Sequence, residues 1–427
     1  MVLVLNRKGI NKMLYATVFF MFIMGFLIHN LGLPIGLMAI LDAVVVLSLL
    51  FAACFFETCL SKTQAGTIII ISAAMLVVGI VNALWQRVSP SLILDGMRNS
   101  FRGMVTFCVA VCLLQKGTVD KIIQLMERFF RINVVVCTIQ AFLLGVSHDN
   151  CNGLFGAGKM NSWTNILLCV MAIYYISRYI NHLISLRYMA VNIVLCLYIA
   201  MLAELKFFFF ELVIIAMLLV LLTKPSWRTF SFCLIGGILM MCMLAVFIAF
   251  WEDDSMFTVE GIKYYLDPDR SYGYSTQGDW GRIGGIAKAT KKFFAEDLNL
   301  FGMGLGYCGF DTPFYYRYEL LHYNWFSYIS IFLEQGWVGI IGYIAFFVVN
   351  ILKLYKKKKM VESPEAKTVF DISLGMSVLG IVLLFYNSTI TGYPAFFLFL
   401  LIGMAYRYDL GEEMPKAKKK LEKPTGE

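Results

Sequence analysis

Apolar runs of about twenty residues recur along this chain, and short basic clusters separate every second pair of them. No other feature constrains the fold as strongly. A run of that length, wound as an α-helix, matches the ~30 Å hydrocarbon core of a bilayer. Twelve runs are read near 13–30, 33–56, 66–84, 100–115, 133–147, 163–180, 189–204, 207–223, 229–251, 325–352, 371–388 and 393–407, the fourth, fifth and seventh being short. Composition points the same way. Of 427 residues 59% are apolar and 15% charged, with a mean hydropathy of +0.74, against about 45–50% and about 25% in soluble domains. Such a chain cannot cover a globular surface. The expectation is an all-α polytopic membrane protein of about twelve transmembrane helices. The formal net charge of +8 is spread over the connections rather than gathered in one patch, so no nucleic-acid partner is expected.

Orientation follows from lysine and arginine, which favour the cytoplasmic side. Basic residues fall at Lys62, then Lys116, Lys121, Arg128 and Arg131, then Arg178 and Arg187, then Lys224 and Arg228. They continue at Lys353 and Lys356 to Lys359, and in the tail at Lys416 and Lys418 to Lys420. Every second connection is basic, which places both termini in the cytoplasm. The run after Asn6-Arg7-Lys8 is too long for a signal peptide and no small-residue cleavage site follows, so it reads as the first span. Four segments result: about nine spans in 1–251, a large extracytoplasmic loop with short helices in 252–324, three C-terminal spans in 325–407, and a basic cytoplasmic tail in 408–427. The tail is solvated or associated with membrane lipid.

Most of the eleven cysteines lie within apolar runs, where they act as small hydrophobes. There is no C-x-x-C pair and no paired-histidine spacing, so neither a metal site nor a cofactor is expected. Cys151 and Cys308 both fall in outward loops, which leaves a disulfide between them open. Asp95, Arg98 and Arg102 at the start of the fourth span, and His148, Asp149 and Lys159 in the next outward loop, read as solvated loop residues.

Chemistry concentrates in the large loop and its edges. Trp280-Gly281-Arg282 opens an amphipathic segment. Asn299 to Tyr307 carries Gly302, Gly304 and Gly306, which read as a structural turn beside the membrane. A nucleotide site is not expected there, because no strand and helix frame the glycines. His322-Tyr323-Asn324-Trp325 then leads into Glu334-Gln335-Gly336-Trp337-Val338-Gly339. At the tight turn between the seventh and eighth runs stand Glu204 and Lys206, with Glu211 a little further on. Ionisable residues inside apolar runs need partners or a water-filled cavity, and are candidate functional groups by default. The many tyrosines of the loop divide between an interfacial belt and surfaces able to stack on sugar rings.

An arginine opening a loop helix, a G-x-G-x-G turn about twenty residues later, then histidine and asparagine at a membrane re-entry followed by E-x-G-x-x-G resembles the O-antigen ligase/polymerase family. These are integral-membrane, GT-C-type glycosyltransferases of the bacterial inner membrane. The resemblance covers the span count, the long late loop and residues 280–342. The chain departs from the pattern in placing Tyr323 between His322 and Asn324, and Leu-Lys at the turn where Ser-Arg is usual. The resemblance implies a Wzy-type polymerase of undecaprenyl-diphosphate-linked repeat units, inverting and metal-independent, with its catalytic loop outside the cytoplasm. It makes His322 the base for the acceptor hydroxyl. Arg282 and Lys206, with Glu204, fall to the lipid diphosphate, and Asn324, Tyr316, Tyr323 and Trp325 to the acceptor glycan. A flippase and a chain-length regulator of the same pathway are the partners it implies. One alternative is a ligase that moves finished glycan to another acceptor. A second is a lipid-linked sugar transporter, which predicts discontinuous helices near the bilayer midplane.

Overall fold

The computed structural model describes residues 7–54, 65–146, 148–156, 160–223, 226–251, 258–267, 280, 284–295 and 299–408. Its helices, numbered here in chain order, are α1 (Arg7–His29), α2 (Ala39–Cys54), α3 (Gly66–Trp85), α4 (Pro90–Leu113), α5 (Lys116–Phe142), α6 (Asn161–Ile180), α7 (Leu186–Leu202), α8 (Lys206–Leu221) and α9 (Trp227–Trp251). In the large loop follow α10 (Val259–Leu266), α11 (Gly285–Phe293) and α12 (Pro313–Tyr318), and then α13 (Ser327–Lys358), α14 (Pro364–Tyr386) and α15 (Pro394–Tyr408). No strand occurs among the described residues. Among the described residues, seven helices are long and apolar enough to cross a membrane, namely α1, the stretch Ile35–Ala53 containing α2, α3, α6, α9, α13 and α14. The chain is thus an all-α membrane protein.

Local chemistry explains where the helices start. Ser89-Pro90 begins α4 with proline at the first turn, where its missing N–H costs nothing. Ser363-Pro364 does the same for α14, with the serine oxygen accepting the Ala366 N–H. Thr312-Pro313 repeats the device in the loop for α12. The fourth and fifth runs are longer helices than their apolar stretches. α4 starts ten residues before the expected 100, and α5 starts at Lys116 rather than 133. Charged residues in their first halves hide these turns from a hydropathy reading, yet Arg102, Val119, Ile122 and Met126 are buried against neighbours.

α6, α14 and α15 form the centre, and α9 lies at the edge. Some 89% of the apolar window of α6 is buried, against 11% for α9. α15 packs on α4 and α14, and α14 on α6 and α13. The described basic connections meet at one end of this bundle. There the Tyr408 hydroxyl donates to Asp120 at 2.8 Å, Lys358 pairs with Asp371, and Arg228 donates to the Tyr179 carbonyl at 3.1 Å. The loop residues from α11 onward lie at the opposite end, where they pack against α3, α4 and α13.

Asp149 and Asn150 in the connection between α5 and α6 are exposed, as expected of a solvated loop, but the stretch after them is buried. Residues 153–155 insert between α1 and α5, where Gly153 N–H donates to Gln140 Oε1 at 2.7 Å and Leu154 N–H to Asn133 Oδ1 at 2.7 Å. Buried Asn133 and Gln140 thereby satisfy a backbone that would otherwise lack partners. Asp149 accepts from Asn161 at 2.6 Å, and Lys159 lies outside the described residues. Cys151 is buried beside Cys137, and Cys308 is buried in the large loop. Both thiols are free, so the disulfide left open by the sequence is not formed.

Candidate functional site

The site's scaffold is a broken helix. Gly336 has φ +60° and ψ −155°, so α13 consists of two helical pieces. A break strands carbonyls on one side and N–H groups on the other, and the loop segment 299–304 supplies both sets of partners. Met303 N–H donates to Leu333 O at 2.8 Å and Gly304 N–H to Glu334 O at 3.1 Å. In return Trp337 and Val338 N–H donate to Asn299 and Leu300 O, each at 3.0 Å. On the other side Asn82 of α3 donates to Phe301 O at 2.7 Å. Gly302, Gly304 and Gly306 all have positive φ, as an ordered turn at these positions requires. A Cβ on Gly306 would stand 1.9 Å from the Leu92 carbonyl of α4.

The glycine turn holds a carboxylate of this same chain. Glu334, buried at the break, accepts the Cys308 N–H at 3.3 Å. Burial, reinforced by Glu334, pushes the Cys308 thiol well above its ordinary range. The three glycines therefore serve to dock the loop onto α3, α4 and α13.

From this turn the chain returns through α12 to His322. That residue stands in the left-handed region at φ +52°, with N–H to Glu319 O at 2.9 Å and O from Trp325 N–H at 3.0 Å. Its ring is half-buried and stacks on Trp325 at 3.9 Å between centroids, interplanar angle 26°. Trp325 is 40% exposed, so the pair faces the surface. Next door, the Trp280 N–H donates to Leu321 O at 3.1 Å. The segment that carries Arg282 thus starts one residue from His322. On the far side of Arg282, α11 begins at Gly285, whose backbone lies close to Tyr328 and Ile329 of α13. Arg282 itself lies outside the described residues, as do Tyr272 and Tyr274.

The Glu204–Lys206 turn sits at the same end of the bundle. Glu204 has φ +52°, and its Oε1 is 3.2 Å from Lys206 Nζ. The adjacent Phe207 stacks on Tyr386 at 3.7 Å and 12°. Asn387, next to Tyr386, accepts the Ser327 N–H at 2.9 Å, and Ser327 opens α13 two residues after Trp325. One chain of contacts therefore joins the lysine turn to the histidine turn. Glu211 stands apart from this, buried between Asn165 Nδ2 at 3.0 Å and Cys169 Sγ at 3.3 Å.

The aromatic series divides in two. Trp280, Phe293, Phe314, Tyr318 and Tyr323 pack on one another and form the loop's own core. Tyr323, expected on the acceptor side, is instead only 1% exposed, and its hydroxyl donates to Cys308 O at 2.7 Å. Burial pushes its phenol upward, with Cys308 and Glu334 adding to the shift. Tyr316 is exposed and donates to Asp311 at 2.9 Å, which raises its phenol. Asn324 is half-buried next to the histidine. Beside the glycine turn lies a polar cavity of about 580 Å³ edged by Gln86, Phe294, Asn299 and Tyr307.

The residue sequence reading missed is Asp42. It receives Arg102 Nε at 2.9 Å and Nη2 at 3.3 Å, and the guanidinium also lies 4.0 Å over the Tyr393 ring. Arg102 is accordingly buried and fully engaged, not solvated. Arg98, half-exposed, pairs with Asp95 at 2.8 Å. The signal for Asp42 was available as a lone acid inside an apolar run. A scan against protein-family models finds no match, and a search of curated proteins finds no significant relative.

Proposed function

We propose that this chain is a membrane glycosyltransferase that polymerises undecaprenyl-diphosphate-linked repeat units at the outer face of a bacterial inner membrane. On this reading all twelve longer helices span the bilayer in a GT-C-like arrangement, with both termini in the cytoplasm and the large loop outside. The observation that carries the reading is the placement of His322. A non-glycine residue in the left-handed region is strained and tends to persist where function requires it. Here the strain holds an imidazole against an exposed tryptophan, one residue from the anchor of the Arg282 segment and on one contact path with Lys206.

The chemistry is a displacement at the anomeric carbon of the lipid-linked donor. The imidazole of His322 takes the proton of the acceptor hydroxyl as that oxygen forms its bond to the anomeric carbon. The bond from that carbon to the diphosphate oxygen breaks with inversion, and the polyprenyl diphosphate departs with the electron pair. Arg282 offers a planar fork to the phosphate oxygens, and Lys206, steadied by Glu204, adds a second cation. Trp325 and the cavity beside Tyr307 offer aromatic faces and amides suited to sugar rings.

The transporter alternative predicts a helix discontinuity at the midplane, and α13 does contain one. Below the break, the apolar stretch 337–352 rises about 24 Å before the lysine cluster begins, well past the midplane of the ~30 Å core. The break then lies towards the membrane edge, where it anchors a loop. Purified protein incubated with lipid-linked repeat units, without nucleotide sugar, tests the proposal. A ladder of repeat-unit multiples supports the polymerase, a single transfer to an added acceptor supports a ligase, and no product from folded protein rejects both.

A further inference from the structure

A second feature on α8 extends this reading and rests on it. Between α8 and α9, and backed by α6 and α7, runs an apolar groove of about 270 Å³. Its floor includes Gly236 and Gly237. Glycines in membrane helices usually let another helix approach closely, but these two are not used that way. A Cβ on Gly237 would meet nothing within 4 Å, and one on Gly236 would meet only the Phe232 ring of its own helix. The glycines leave a trough open to the bilayer instead of a helix contact.

The α8 wall of that trough is in register with the lysine turn. Val213, Met217 and Val220 line the groove, and they follow Lys206 by seven, eleven and fourteen residues, so all four share one helix face. At 1.5 Å per residue Val213 lies about 10 Å and Val220 about 21 Å below Lys206. A cation thus stands at the head of an apolar channel that runs down the helix. That arrangement matches an amphiphile with an anionic head and a long, thin, branched hydrocarbon tail. The α9 wall faces outward, with most of its apolar window unburied, which leaves room for a chain to enter sideways from the bilayer.

We infer that this groove receives the isoprenoid chain of the polyprenyl diphosphate donor, with its diphosphate at Lys206. Filling the groove should therefore weaken binding of long-chain donors selectively. Gly236→Leu and Gly237→Leu project into open space, so they leave the helix packing intact.

The experiment compares the full-length polyprenyl donor with its farnesyl counterpart on the purified protein in detergent, for wild type and both variants. The expected result is a rise in KM of about tenfold for the long-chain donor, as apolar contact is lost. The farnesyl donor should keep its KM, and kcat should hold for both. Equal effects on the two donors, or none on either, overturn the assignment. A second readout does not depend on turnover. A polyprenyl diphosphate bearing a diazirine part-way along its chain, at the depth of Met217 and Val220, without sugar, should crosslink to peptides of α8 and α9 in wild type and lose that labelling in Gly237→Leu. Labelling in this pattern without glycosyl transfer would sustain the groove while rejecting the enzymatic reading. Labelling confined to other helices would reject the groove even if transfer occurs.

Discussion

Gly302 and Gly336 stand back to back across the loop–helix junction. A Cβ on Gly302 would lie 2.4 Å from the carbonyl carbon of Glu334, and one on Gly336 would lie 2.4 Å from that of Leu300. Both backbones also have positive φ, +74° and +60°. Each alanine substitution therefore meets strain of about 1–3 kcal/mol before any clash is counted. Thermal unfolding in detergent should show clear destabilisation for Gly302→Ala and Gly336→Ala. Gly237→Ala, which meets open space, should stay within about 0.5 kcal/mol of wild type. Equal melting for all three would remove the interlock as a structural element.

Glu334 is expected to act through an acceptor oxygen rather than through its charge. Glu334→Gln keeps an oxygen for the Cys308 N–H, whereas Glu334→Leu leaves buried donors unpaired at a cost of about 1–3 kcal/mol. The glutamine variant should melt near wild type and the leucine variant well below it. Proteolysis of the large loop should rise only for leucine. Matching losses in both variants would assign the role to charge.

Arg102 and Asp42 form a pair in which the arginine side chain is 2% and the aspartate 15% exposed. Removing Asp42 leaves the buried Arg102 without its carboxylate, costing about 3–5 kcal/mol, and removing Arg102 leaves Asp42 only a 4.0 Å contact with Arg98. Arg102→Met and Asp42→Leu should each destabilise strongly, while the double variant should lose much less than their sum. Additive losses in that cycle would show that the two residues do not act as a unit. Arg102→Lys should recover little, because the two-pronged contact and the stacking on Tyr393 both need the guanidinium plane.

Much of this was readable from the residues alone. All twelve apolar runs became helices of at least 15 residues, because hydropathy over twenty residues averages out local detail. The glycines at 302, 304 and 306 read as a turn, since their spacing suits little else. Their partner did not, because the Glu334 contact with Cys308 depends on the break at Gly336, and a single glycine in a helical pattern does not announce a break. Arg102 read as solvated because Asp42, which buries it, is sixty residues away. Tyr323 looked like its exposed neighbours because alternation within a short 3₁₀ turn follows the packing of Phe314 and Cys308, which only the folded loop supplies. Arg282 lies outside the described residues, so its assignment still rests on the resemblance and on the anchoring of Trp280.

His322 offers the most direct test, because its backbone and side-chain roles separate. Glycine accepts φ +52° without strain, so His322→Gly should fold as well as wild type while lacking the proposed base. The decisive measurement is the release of polyprenyl diphosphate from a labelled lipid-linked repeat unit by wild type, His322→Gly and Arg282→Ala. The prediction is transfer by wild type and a loss of about 10²–10⁴ in His322→Gly with its melting temperature retained. Undiminished release by His322→Gly would contradict the placement of the base, and no release by folded wild type would contradict the proposed reaction itself.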